Sequence, residues 1–172
     1  MRHLVRVLVA VTSLLTVAAL QLGYRAIAAL GVVATNSAAA DVAYVQRLLF
    51  STPLDRFVVI AKGHVGPTGL PGDSWFDWST DLCSAPMMGN SGPGYNFSDP
   101  CRRHDFGYRN THLLDHRYGA GRYWTAATRK RIDAQFLADM RQLCGHRHVV
   151  ERPLCYGAAS LYFAAVRVAG GP

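Results

Sequence analysis

The stretch Cys101-Arg102-Arg103-His104-Asp105-Phe106-Gly107-Tyr108 sets an imidazole beside a carboxylate, three residues after a cysteine. Upstream, Asp81-Leu82-Cys83 places a second carboxylate next to a second cysteine, and downstream Ile132-Asp133-Ala134-Gln135-Phe136 holds a third. A histidine of this kind can take a proton from water, and a carboxylate can fix its tautomer and stabilise its charged form. The other carboxylates suit a hard cation, for which an all-oxygen ligand set is the rule. The chemistry implied is hydrolysis by an activated water. No Gly-x-Ser-x-Gly elbow occurs in the chain, so nothing points to a serine nucleophile.

Each residue has a plainer alternative. Asp133, Phe136, Leu137, Met140 and Cys144 recur at i, i+3, i+4, i+7 and i+11, one face of a helix whose other members are apolar. An isolated buried carboxylate is costly, so Asp133 needs a partner: His104 from a facing helix, or a salt bridge to Arg129 or Arg103. His104 and Tyr108 are four apart and share a face, whereas Asp105 is turned by about 100°. Asp105 can therefore reach the loop that carries Asp81 while His104 meets Asp133. If Cys101 pairs with Cys83, Asp81, the Leu82 carbonyl and Asp105 converge as a calcium-like site. The plainer readings are a turn-capping Asp81 and a solvated first-turn Asp105. A zinc site at Cys144, His146, His148 and Cys155 is conceivable, although a disulfide with surface histidines suits an exported chain better. Met87, Met88, Tyr95 and Phe97 could touch an apolar surface or pack in the core.

The elements that must position these groups are helical. Asp41–Phe50 has near-helical apolar spacing, and Thr52-Pro53-Leu54-Asp55 opens a second helix with Thr52 as its cap, running to about Lys62. Gly63–Pro100 is dense in Gly and Pro and reads as a long loop. Ser98 or Asp99 caps a helix from about Pro100 to His112, and Asp115–Trp124 is a polar connection. A helix opening at Thr125 or Thr128 runs to Leu143, and an Ala-rich one spans Leu154–Val168. The fold class expected is all-α, a small disulfide-stapled domain with two central antiparallel helices, flanking helices and a long cation-binding loop.

The chain has 172 residues and a formal charge of +7. Its start, basic and then apolar from Val7 to Leu22, fits an export signal, with Ala38-Ala39-Ala40 as one exit. Residues 1–40 are thus expected to be a signal peptide, or a retained membrane anchor, and residues 41–172 a single catalytic domain. Setting aside Arg2, Arg6 and Arg25 leaves 15 basic residues against 11 acidic ones, a balance of +4 that favours anionic partners. The arginines are scattered, with no aromatic-lined basic groove, so a nuclease ranks last and no nucleic-acid partner is expected. Cys83, Cys101, Cys144 and Cys155 allow three pairings. The short-range scheme, Cys83–Cys101 and Cys144–Cys155, brackets one loop with each bond.

Three segments resemble the small secreted prokaryotic and fungal phospholipase A2 enzymes. They are Phe76-Asp77-Trp78-Ser79-Thr80-Asp81-Leu82-Cys83, Cys101-Arg102-Arg103-His104-Asp105-Phe106-Gly107-Tyr108-Arg109-Asn110 and Arg131-Ile132-Asp133-Ala134-Gln135-Phe136. The resemblance spans roughly Trp75 to Val168. It implies a helical, two-disulfide enzyme that uses calcium to hydrolyse the sn-2 ester of glycerophospholipids; the expected partner is a membrane or micelle surface, and the chain is expected to be secreted and monomeric. By position it implies His104 as general base, Asp133 as the acid that orients it, and Asp81, Leu82 and Asp105 as calcium ligands. The loop from about Thr111 to Trp124 looks longer than the family's. A non-catalytic lipid-binding or toxin-like module on the same scaffold is the competing expectation.

Overall fold

Two helices at the centre position the chemistry, and their pairing can be read from three contacts. The computed structural model describes residues 37–64, 75–83, 91–92 and 95–169. Helices α1 (Ala38–Phe50) and α2 (Leu54–His64) come first, then a two-stranded hairpin of β1 (Ser91–Gly92) and β2 (Tyr95–Asn96). Helices α3 (Ser98–Tyr118), α4 (Ala126–Gly145) and α5 (Arg152–Ala169) follow. Arg103 meets Asp139, His104 meets Asp133, and Tyr108 meets Arg129, so α4 runs antiparallel to α3. Arg129 reaches Arg167 while Cys144 bonds Cys155, which sets α5 antiparallel to α4. Fold class and both disulfides, Cys83–Cys101 and Cys144–Cys155, match the expectation. Each bond closes a loop worth roughly 3 kcal/mol in the chain-entropy model.

The core lies on both sides of the central pair. One cluster gathers Leu48 and Leu49 of α1, Phe57 of α2, Phe76 and Trp78 of the incoming segment, and Phe106, Leu114 and Ile132 of the central helices. The second joins both disulfides to Phe97, Phe136, Met140, Ala159 and Tyr162 under α5. Gly107 marks the closest approach in the first cluster. A Cβ there would lie 2.9 Å from Leu49 Cδ2 and 3.0 Å from Ile132 Cγ2, so only glycine lets α1, α3 and α4 meet at that height.

Several local expectations are corrected. Thr52 does not cap α2; its hydroxyl donates to the Arg47 carbonyl at 2.9 Å and closes α1 instead. Neither Ser98 nor Asp99 caps α3, because Asn96 Oδ1 accepts from the Ser98 amide at 2.9 Å and the helix starts at Ser98. That helix does not stop at His112: Leu114 is buried, and the Tyr118 hydroxyl donates to the Asp41 carboxylate at 2.7 Å, so tertiary anchors carry it two turns further. Much of the seemingly long connection is therefore helix. What remains turns at Gly119, φ 125°, with Asp115 accepting from the amides of Gly121, Arg122 and Tyr123. Burial raises the Asp115 carboxyl, but those amides together outweigh it and hold the group below the usual carboxylate range.

Residues 1–36 of the expected leader, and Met87 and Met88, lie outside the described residues. Ser37 accepts from the Ala40 amide and caps α1, so Ala38-Ala39-Ala40 is the first turn of a helix. Asp41 beside it is fully buried and accepts from the Trp75 indole and the Tyr118 hydroxyl. A cut after Ala40 would strip that helix of its cap.

Candidate active site

The segment from Trp75 to Cys83 is stitched along α3 in reverse order. Asn110, fully buried, exchanges two hydrogen bonds with the backbone of Asp77, at 2.9 and 2.8 Å. Arg109 donates to Asp81 at 2.8 Å, Asp105 accepts from the Thr80 hydroxyl and, at 3.1 Å, from the Leu82 amide, and Cys101 bonds Cys83. Leu82 is held at φ 58°, the left-handed region that a branched apolar side chain rarely adopts. The disulfide and the Asp105 carboxylate together hold that conformation in place.

Asp81, Leu82 and Asp105 are thus on one short stretch against one helix turn. Burial, the nearby Asp81 charge adding to it, pushes the Asp105 carboxyl up, and the Thr80 hydroxyl pulls it back in part. Two carboxylates that feel each other beside a backbone carbonyl are the hard oxygen donors that a calcium ion takes. A cation there would offset the burial and the Asp81 charge that disfavour the ionised Asp105 carboxyl, so the donor set fits the group. Among the described residues no cluster of three or more His, Cys, Asp or Glu side chains stands ready for a metal, so a backbone carbonyl and solvent would have to complete the shell.

Across the helix pair, His104 Nε2 lies 2.9 Å from Asp133 Oδ1. An ionised carboxylate only accepts, so Nε2 is the donor in this pair and Nδ1 is the nitrogen turned away from Asp133. The ring is packed between Tyr108 and Phe136, with centroids 4.2 and 4.8 Å away. Asp133, fully buried, also accepts from the Tyr108 hydroxyl at 2.7 Å and from Arg167 Nη1 at 2.8 Å, with Arg129 Nε 3.7 Å away. Burial alone would raise the Asp133 carboxyl; the hydrogen bonds from His104, Arg167 and Tyr108 outweigh it and hold it below the usual range. Burial and the Asp133 carboxylate together push the Tyr108 phenol up to about 12, so it stays a donor.

His104 from one group and Leu82 and Asp105 from the other border one cavity of about 230 Å³, whose lining also includes Phe136, Tyr162 and Val166. Its walls are mostly apolar, with the imidazole and the Asp105 carboxylate as its polar features. A mostly apolar space with a few convergent polar groups suits a ligand that joins a polar reacting group to apolar atoms. Residues 45–170 match the profile of the prokaryotic phospholipase A2 family.

The chain belongs to the prokaryotic phospholipase A2 family.

Two curated relatives agree. A secretory phospholipase A2 of Beauveria bassiana (strain ARSEF 2860) is 36% identical over 126 residues, 73% of this chain and 57% of the relative. A secretory phospholipase A2 of Arthroderma benhamiae (strain ATCC MYA-4681 / CBS 112371) is 32% identical over 131 residues, 74% of this chain and 78% of the relative. The chain thus spans little more than half of the first relative's length. Within the matched span of this phospholipase A2 family member, sequence reasoning missed Arg167, Asn110 and the Arg103–Asp139 pair. Arg103 was an expected alternative partner for Asp133, yet it turns away, 2.9 Å from Asp139 Oδ2. The signals were present: Asn110 interrupts a buried face, and Arg167 is the one charged residue in the apolar stretch Leu154–Val168. The plainer readings hold elsewhere. Phe97 is buried core, His64 stacks on Trp78 and His112 on Trp124 at ring distances of 4.1 and 4.2 Å, and Cys144 and Cys155 are taken by their disulfide.

Proposed function

We propose that this chain is a calcium-dependent phospholipase A2 that hydrolyses the sn-2 ester of glycerophospholipids, releasing a fatty acid and a lysophospholipid. The observation that carries the reading is the His104–Asp133 pair at 2.9 Å, facing a mostly apolar cavity beside the Asp81–Asp105 stretch. His104 Nδ1 takes a proton from water as the water oxygen bonds to the ester carbonyl carbon. The Nε2 proton, donated to Asp133, fixes the ring, and the carboxylate stabilises the imidazolium that forms. The tetrahedral species collapses with cleavage of the carbonyl-carbon-to-glycerol-oxygen bond, and the imidazolium returns its proton to that oxygen. Phe136, Tyr162 and Val166 offer an apolar wall to the acyl chain. Bound by Asp81, the Leu82 carbonyl and Asp105, calcium would supply positive charge for the phosphate and the developing oxyanion.

The apolar start of the chain and the names of its relatives support export from the cell. The partner is a phospholipid membrane or micelle surface, approached by a monomer. The test is release of labelled fatty acid from sn-1- and sn-2-labelled phospholipid, titrated with calcium and then with chelator. Release from the sn-2 label alone, abolished by chelator and by His104→Ala in a folded protein, is expected. Substantial turnover by folded His104→Ala would refute the assigned base. Metal titration unchanged in Asp81→Asn would reject the ligand assignment.

A further inference from the structure

We infer that the outer flank of α5 is the surface by which this chain docks on an anionic phospholipid interface, a proposal that rests on the phospholipase reading and locates its partner. Val59 apart, the large apolar side chains exposed among the described residues lie between Val149 and Val168. Scattered exposed apolar residues need no explanation, but a concentration on one element does. Leu154, Leu161 and Val168 are 72%, 62% and 89% exposed. Their seven-residue spacing keeps them within about 40° of one another around the helix, and Ala165 stands about 20° beyond Leu154. Ala165 and Ala169 line the cavity that holds His104. The exposed stripe and the cavity wall are therefore neighbouring flanks of a single helix. The remaining side of α5 is fixed: Cys155, Ala159 and Tyr162 are buried, and Arg129 donates to the carbonyls of Val166 and Arg167 at 3.1 and 2.6 Å.

Charge selects the occupant. From Arg141 to Ala169 the chain has Arg141, Arg147 and Arg152 with Glu151 as its acid, besides Arg167, whose guanidinium is taken by Asp133. An apolar stripe accompanied by arginines suits a surface whose phosphates lie above hydrocarbon: the side chains enter the acyl boundary and the guanidinium groups meet phosphate. Two copies of the chain meeting through this face would bring like charges together, which favours lipid over self-association. The other candidate contact, Phe97, is spent in the core, and Tyr95 beside it is half buried. Docking along α5 turns the cavity mouth towards the lipid, so a substrate molecule can enter without crossing bulk water.

The experiment uses the protein as its host produces it, with Leu161→Ser/Val168→Ser as the variant. Co-sedimentation with phosphatidylglycerol vesicles, phosphatidylcholine vesicles and no vesicles reads docking without turnover. Hydrolysis of a short-chain phospholipid, kept below its micelle concentration, reads the site without docking. The variant should lose at least about tenfold in affinity for phosphatidylglycerol vesicles, while turnover of the dispersed substrate stays within about twofold. Wild type should prefer phosphatidylglycerol. Equal vesicle binding by variant and wild type overturns the proposal, as does an equal loss on dispersed substrate, which would assign the side chains to the cavity. A dimeric wild type that the variant converts to monomer, by analytical ultracentrifugation, assigns the face to a second copy and also overturns it. Vesicle binding that depends on α5, with no hydrolysis of either substrate, upholds docking and sinks only the catalytic reading.

Discussion

Asp133 and Asp139 sit on the same helix, both buried, and face the adjacent residues His104 and Arg103 of α3. Asp139 meets one guanidinium, with Nε 2.9 Å from Oδ2 and Nη2 3.1 Å from Oδ1, and accepts one bond from Gln135 at 2.8 Å. Burial outweighs those partners: it pushes the Asp139 carboxyl up and the Arg103 guanidinium down. Asp133 collects an imidazole, a phenol and Arg167, and its carboxyl falls instead. The difference teaches that burial does not decide the state of a carboxylate by itself; it is set against the charged and hydrogen-bonding groups that the carboxylate meets. Arg103 also donates to the carbonyls of Leu49 and Thr52 and lies over the Phe57 ring, so its pair ties α1 and α2 to the central helices. Around Asp133 the hydrogen bonds from His104, Arg167 and Tyr108 outweigh burial and favour the ionised carboxylate.

The sharpest break in this comparison is functional. Asp133→Asn should cut fatty-acid release by about 10²–10⁴-fold in a protein that still folds, whereas folded Asp139→Asn should keep turnover within a few-fold. Equal losses would erase the distinction. The second break is in stability. Asp139→Ala leaves Arg103 buried and unpaired, and should lower the unfolding free energy by about 3–5 kcal/mol in urea titration. The double replacement Arg103→Met/Asp139→Leu should recover most of that loss, since apolar groups of similar size often replace a buried ion pair without penalty.

Acid separates the two carboxylates by sign. Asp133, held below its ordinary value, adds stability that is full above about pH 4 and is lost as pH falls through its folded pKa. Asp139, raised, gives the reverse slope: stability gains as pH falls from its folded value towards about 4. Urea midpoints of Asp133→Asn and Asp139→Asn between pH 2 and 7 should therefore deviate from wild type in opposite directions. The smallest effects test the supports. Gly107→Ala sets overpacking against gained helix propensity, for a net loss on the order of 1 kcal/mol. Tyr108→Phe removes one hydrogen bond to Asp133 and should cost about 1 kcal/mol, read as a few-fold drop in turnover.

Much of the candidate site was legible because its signals are local. An Asp in an apolar helical stripe demands a partner, and a His one turn after a cysteine offers one. The caps were less legible, since Thr52 and Ser98 satisfy any capping rule yet the carbonyl of Arg47 and the side chain of Asn96 compete for the same hydrogen bonds. Asn110 and Arg167 were invisible as functional supports because their partners, the Asp77 backbone and Asp133, lie more than thirty residues away in the chain. The end of α3 depended on Tyr118 finding Asp41, again a distant contact.

Residue type and spacing alone determined that this chain is helical, has cysteines for two disulfides, and carries a His and an Asp able to pair, with two further carboxylates near them in the motifs. Periodicity and covalent reach act over a few residues, and one strand of text contains them. Which arginine serves which carboxylate was decided by the packed helices. So was the face of α5 that stays bare, because both depend on where groups distant in sequence are forced to share one dry space.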